Sequence, residues 1–273
     1  MFRDLLVHVD GSPAGRRRVQ FAVGLAKRMS ARLSGLHVTP SVEVPPRYKP
    51  SRVDQAATEI SAKLALDARA AAMIFREEAA DACWFEAAGD MVQGISDKAR
   101  YADVVILGQY EWQGAPERHP LPIAHPVVLR CGRPVLVVPA DVQPSAFASI
   151  AVAWDGSREA VRAVHDALPL LRMSRSVEIV TMIAPSAEGK DADAKSLSAH
   201  LANHGIEVGT NVLQLKTPAE HESLRKHLEQ GHYDLLVMGG MGGYSHAMWL
   251  EFIFGGATHS ILISSRIPIL VSH

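Results

Sequence analysis

The 273-residue sequence predicts an α/β protein built as two tandem open five-stranded parallel sheets with helices on both faces. Three observations carry this reading. Leu6 to Val19 reads LVHVDGSPAGRRRV and Ala151 to Val164 reads AVAWDGSREAVRAV; aligned without a gap they share Val, Asp, Gly, Ser, Arg and Val, with Asp10 and Asp155 lying 145 residues apart. In both halves short apolar runs alternate with helix-length amphipathic segments in one order. Two later runs also recur, DVVIL at 103 as DLLVM at 234 and PVLVV at 134 as PILV at 268, so the echo is a duplication of the whole unit.

The first half opens with an apolar strand, Leu5 to Val9, that ends in the turn cluster Asp10-Gly11-Ser12. Ser12 or Asp10 can accept the orphan amides of a following helix, and Pro13 suits its first position. That helix, about Pro13 to Met29, sets Val19, Val23 and Ala26 on one face and leaves Arg16, Arg17 and Arg18 as a solvated face, with phosphate contact the minority reading. RLSGLHV (Arg32 to Val38) is the second strand, and a proline-bearing loop runs from Pro40 to Pro50. The Ala-rich run Val53 to Ala80 is the longest helical pattern. Trp84 to Ala87 is a weak strand, Met91 to Arg100 a short helix, Asp103 to Leu107 a buried strand and Pro134 to Val138 the last strand.

The second half repeats the series. Its strands are Ile150 to Trp154, Val177 to Ile183, Ile206 to Leu215, Asp234 to Met238 and Ile269 to Val271. Its helices are Ser157 to Leu171, Asp191 to Asn203 with Gly205 as terminator, and Ala219 to Gln230. Parallel strands need helical crossovers, which covers both faces of each sheet. Asp141 to Ser149, polar and proline-bearing, is the natural linker, giving domains at 1–142 and 149–273. The terminal strands, near 134–138 and 268–271, carry hydrogen-bonding edges that must be paired or covered, so they are expected to pair the two domains within one chain.

Composition excludes several classes. A net charge of −1 and a pI near 6.9 supply no field for nucleic acid or anionic membrane. The amino-terminal apolar run is too short for a signal or a span, and the two cysteines, Cys83 and Cys131, have no CxxC spacing; both fit a cytoplasmic protein without disulfides or structural zinc. GxxxxGK[ST] and GxSxG are absent, and GGMGGYS lies too near the carboxyl terminus for a dinucleotide fingerprint. No general base or metal set argues for an enzyme. His200 and His204 share a helix face, yet without a third ligand in an evident motif they read as surface histidines rather than metal ligands. His8 and His37 read as core or cleft residues, and Trp154 either lines the cleft or simply packs.

The strand–DGS–helix opening, LHV at 36–38, DVVILG, PVLVV, WDGSREAVRAV and VMGG…FIFGGATHSIL together resemble a universal stress protein domain, and the whole chain resembles the tandem form. The resemblance implies an adenine nucleotide alpha hydrolase-like sheet in each domain and pairing through the last strands about a pseudo-two-fold axis. It also implies ATP at the carboxyl ends of the strands in some members, and no nucleotide site in others.

Such a crevice would gather Asp155, Ile183 and Met238-Gly239-Gly240. The segment GGMGGYSHAMWLEFIFGGATHS adds Gly242, Gly243, Gly255, Gly256 and Thr258, glycines that let a backbone approach phosphate beside a helix amino terminus. Bare DGS and Gly-rich stretches are more often turns and caps, so the resemblance is what lifts them. The family places GxxG nine residues before a Gly-Ser or Gly-Thr pair; here eleven residues separate Gly243 from Gly255, and Gly256 lacks the hydroxyl. The first half has no GxxG after Gly108, and Pro116, Pro120, Pro122 and Pro126 remove amide donors there. The expectation is one adenine-nucleotide (ATP) site per chain, in the second domain, in a non-enzymatic, stress-responsive binding module. The alternative is a nucleotide-independent dimerising or scaffold protein of the same fold, and a homodimer of chains is a weaker expectation than the internal pairing.

Overall fold

A computed structural model describes residues 1–42, 44, 50–109, 123–143, 146–183, 190–214, 222–240, 262 and 265–273. Strands β1 (Asp4–His8), β2 (Arg32–Pro40), β3 (Cys83–Gly89), β4 (Val104–Gly108) and β5 (Val135–Val138) form one half of the sheet, and β6 (Ser149–Ala153), β7 (Ser176–Ile183), β8 (Val208–Gln214), β9 (Leu235–Gly239) and β10 (Ile269–Ser272) form the other. The order is β3-β2-β1-β4-β5-β10-β9-β6-β7-β8. Among the described residues every pairing within a half is parallel and only β5 and β10 run antiparallel, with Ile269 opposite Val137, Leu270 opposite Leu136 and Val271 opposite Val135. Read from either end, the order maps each strand onto its counterpart, as a pseudo-two-fold axis at Leu136 and Leu270 requires. All six residues of that seam are at most 2% exposed, so the two edges bury one another.

The helices are α1 (Pro13–Met29), α2 (Val53–Glu78), α3 (Met91–Ala99), α4 (Ala124–Cys131), α5 (Arg158–Leu171), α6 (Lys190–Asn203) and α7 (Glu222–Gln230). Alternation along the buried strands divides the core in two. Leu5, Val7, Val104, Ile106, Val152 and Leu270 face α1, α2, α5 and α6, while Leu6, Val105, Leu107, Ala151 and Leu236 face α3, α4 and α7. Ser12 caps α1 by accepting the Gly15 amide at 2.9 Å, with Pro13 next, and Ser157 caps α5 by accepting the Ala160 amide at 3.1 Å.

The sequence reading missed α4, because Pro126 lies within it. A proline in the first turn removes an amide that has no intrahelical partner anyway, so the helix tolerates it. The linker is also less free than its composition suggests. Arg17 Nε donates to the Ala140 carbonyl at 2.5 Å, Arg28 Nη2 donates to the Ala146 carbonyl, and Phe147 is 1% exposed, edge-on to Phe21 with ring centres 5.8 Å apart.

Candidate functional site

The carboxyl ends of β1 and β4 enclose a cleft of about 360 Å³ in the first half, lined among others by His8, Asp10, Gly11, Asp67 and Gly108. Its floor is a partly buried ion pair. Arg18, one turn into α1, turns inward: Nε donates to the His8 carbonyl at 2.7 Å and Nη2 donates to Asp10 Oδ2. The other carboxylate oxygen, Oδ1, accepts the Ser12 amide at 3.0 Å and the Ser12 hydroxyl. Burial works to raise the Asp10 carboxyl, but the Arg18 charge and the hydrogen bonds from Ser12 and Arg18 outweigh it and hold the group well below the usual carboxylate range. His8 is driven down to about 3, by burial first and by the Arg18 charge second, so its imidazole stays neutral.

This corrects the reading of Arg18 as part of a solvated face. Its side chain is 6% exposed because Asp10 and a strand-end carbonyl compensate its charge, whereas Arg16 pairs with Glu77 and Glu78 of α2 at 2.7 and 2.8 Å. Gly108 is part of the same arrangement: a Cβ there would overlap Arg18 Nη1. A bulky residue at 108 therefore displaces the Arg18 guanidinium.

The second half keeps the turn and changes the lock. Asp155 follows β6 and Trp154, and its Oδ1 accepts the Ser157 amide at 2.9 Å; among the described residues nothing donates to Oδ2. The residue aligned with Arg18 is Ala163, 1% exposed, so the guanidinium that holds Asp10 has no counterpart here. Asp67 and Asp193 stand over the two DGS turns. Asp67 Oδ1 accepts the Gly11 amide at 2.9 Å, and Asp193 Oδ2 lies 3.6 Å from where a Gly156 Cβ would sit. In both copies DGS is a turn and helix cap; only in the second is half of the carboxylate left over.

Of the other predicted residues, Ile183 ends β7, Met238 is buried near the end of β9, and Gly239 ends that strand. Gly239 needs its missing side chain, since a Cβ would lie 2.6 Å from the Ala160 nitrogen at the start of α5. The Gly240 amide donates to the Ser272 carbonyl at 2.6 Å. Asp155 and the Met238–Gly240 strand end thus flank the start of α5, with Ile183 closing the neighbouring β7. Gly242, Gly243, Gly255, Gly256 and Thr258 lie outside the described residues.

Sequence reasoning left the role of Trp154 open and missed two further groups in the second half, Thr181 and Ser272. Trp154 Nε1, Thr181 Oγ1 and Ser272 Oγ are buried with no hydrogen-bond partner among the described residues, as are His8 Nε2 and Ser96 Oγ in the first half, and the first three lie at or within two residues of the carboxyl ends of β6, β7 and β10. Buried polar atoms are normally satisfied, so an unsatisfied set is a place where a polar ligand or water fits. No short-range pattern announces Thr181 or Ser272.

Among the described residues no helix is long and apolar enough to cross a membrane, and Cys83 and Cys131 are free thiols. No curated protein matches the chain. Among solved structures, a universal stress protein from Archaeoglobus fulgidus DSM 4304 is 20% identical, covers 98% of this chain and 95% of its own, and superposes with a TM-score of 0.73. A putative universal stress protein from Pseudomonas aeruginosa UCBPP-PA14 is 14% identical over 99% of this chain and 93% of its own, with a TM-score of 0.59. These likenesses establish the fold. Residues 1–139 match the model of the universal stress protein family, and the chain belongs to that family.

Proposed function

We propose that this stress protein acts by binding rather than by catalysis and takes one adenine nucleotide, ATP, per chain in its second domain. The observation that carries this reading is the contrast between Asp10, whose carboxylate is consumed by Arg18 and Ser12, and Asp155, whose Oδ2 accepts nothing among the described residues. A purine or ribose donor needs such an acceptor. Trp154 Nε1, Thr181 Oγ1 and Ser272 Oγ, without partners among the described residues, give the second half further polar atoms for a ligand, although the first cleft also holds one such atom, His8 Nε2.

In this assignment Asp155 and Ile183 lie by the adenine or ribose, Met238, Gly239 and Gly240 line the strand end, and Gly242, Gly243, Gly255, Gly256 and Thr258 surround the phosphates. The first domain, 1–142, is a structural or regulatory partner to the binding domain, 149–273, in a cytoplasmic protein. Bound nucleotide changes conformation or partner affinity, and no reaction is required of it.

Calorimetry with ATP on wild type and Gly255→Val tests the reading, because a bulky residue blocks the close backbone approach that a phosphate loop needs. The expected result is one site in wild type, lost in the variant, with nucleotide released from freshly purified wild type on denaturation. Two sites per chain, or unchanged affinity in Gly255→Val, would overturn the assignment. No binding at all would favour a nucleotide-independent scaffold joined through β5 and β10.

A further inference from the structure

The helices over the two halves are tied together in different ways. In the first half Arg16 and Gln20 of α1 bond Glu77 and Glu78 of α2. In the second half a groove of about 360 Å³ separates α5 from α6, with Trp154, Val161 and Leu197 among its walls. Along it three imidazoles meet: His165 of α5, His200 of α6, and His204 just beyond α6. Ring centres are 4.8 Å apart for His200 and His204, 5.3 Å for His165 and His200, and 6.3 Å for His165 and His204. Among the described residues no three such donors are placed to hold one metal ion, so the chemistry left to the cluster is protonation.

The neighbours of His204 make its protonation unfavourable. Arg172, at the end of α5, donates from Nη2 to His204 Nδ1 at 3.1 Å, which requires that nitrogen to be unprotonated. Asp166 of α5 is occupied by Arg162 at 3.0 Å. Asp193 of α6 lines the same groove, but two helical turns, about 10 Å, before His200. Lys195 of α6 and Glu207 beyond the cluster are both exposed. Burial, and then the charges of His200, Arg172 and His165, lower the His204 value from its ordinary range.

We propose that His165, His200 and His204 form an acid-released clasp between α5 and α6. Neutral, the rings pack against one another and close the two helices over Trp154. A proton on His204 breaks its bond from Arg172, sets a like charge against that guanidinium and drives α6 away. The sign follows from the lowered His204 value: the clasp contributes fully above the unfolded value, near 6.5, and weakens as pH falls below it. The consequence is an α6 that opens locally in mild acid while the sheet stays folded. The proposal is independent of nucleotide.

Amide hydrogen exchange of the whole chain, corrected for intrinsic pH dependence and compared at about pH 7.5 and about pH 5.5, reads the opening directly. Protection across 190–203 should fall roughly threefold to tenfold at the lower pH, beyond any fall across α2, whose half carries His8. The triple variant His165→Gln, His200→Gln, His204→Gln should lose the response. Should that variant not fold, the exposed single change His200→Gln should shrink the response, and raised salt should do the same in wild type, since exposed charges are screened. Protection of α6 that ignores pH in wild type, or a response that persists in the glutamine variants, would overturn the clasp.

Discussion

Replacing Arg18 by Met keeps most of the buried stem and removes the charge, which isolates the lock under the first cleft. Three bonds bear on the cost. Asp10 loses its buried partner, the His8 carbonyl loses a donor at 2.7 Å, and Ser12 remains on Asp10 Oδ1. Breaking a fully buried pair costs about 3–5 kcal/mol. Asp10 is 32% exposed and can recover water, so its share falls towards about 2 kcal/mol, and the carbonyl adds about 1 kcal/mol. Urea unfolding near neutral pH should therefore show Arg18→Met less stable by about 3 kcal/mol. Because the folded Asp10 value is depressed, this stabilisation is present above the unfolded value, about 3.9, and is lost as pH falls below it. The gap between wild type and variant should accordingly narrow at about pH 3.5. A gap under about 1 kcal/mol at neutral pH, or one that widens in acid, would refute the lock.

Other expectations follow from the same geometry. His8, held neutral at about 3, makes the first half less stable as pH falls below the unfolded value of about 6.5, so His8→Gln should flatten the urea-measured pH dependence of stability, by at most about 5 kcal/mol across that window. Gly239→Ala sets a methyl 2.6 Å from the Ala160 nitrogen and should cost about 1–3 kcal/mol in chemical unfolding. Ser157→Ala removes the α5 cap and should cost about 1 kcal/mol by the same assay.

The sheet was legible because its information is local. Strands such as DVVIL and DLLVM are buried on both faces and read as unbroken apolar runs, and the recurrence of DGS fixed the correspondence of the halves. The seam between β5 and β10 was legible for a different reason: an unpaired apolar edge has to go somewhere. What the sequence hid depends on partners far along the chain. Arg18 sits between Arg17 and Val19 with nothing local to mark it as buried, since its partners lie back at the end of β1 and its guanidinium fits only over Gly108. Asp67 reaches the Gly11 amide from 56 residues away, and His165 joins His200 and His204 from another helix. The short helix α4 was concealed by a proline whose cost depends on its position within the turn.

The central claim is that one aspartate of the duplicated pair was kept for a ligand and the other for the fold. Titrating ATP into wild type, Asp155→Ala and Asp10→Ala in a calorimeter, with each variant's unfolding curve recorded alongside, tests it most directly. The account predicts one ATP per chain in wild type, at least about tenfold weaker binding in Asp155→Ala with stability little changed, and unchanged affinity in a destabilised Asp10→Ala. Binding lost in Asp10→Ala but kept in Asp155→Ala, or two sites in wild type, would contradict it.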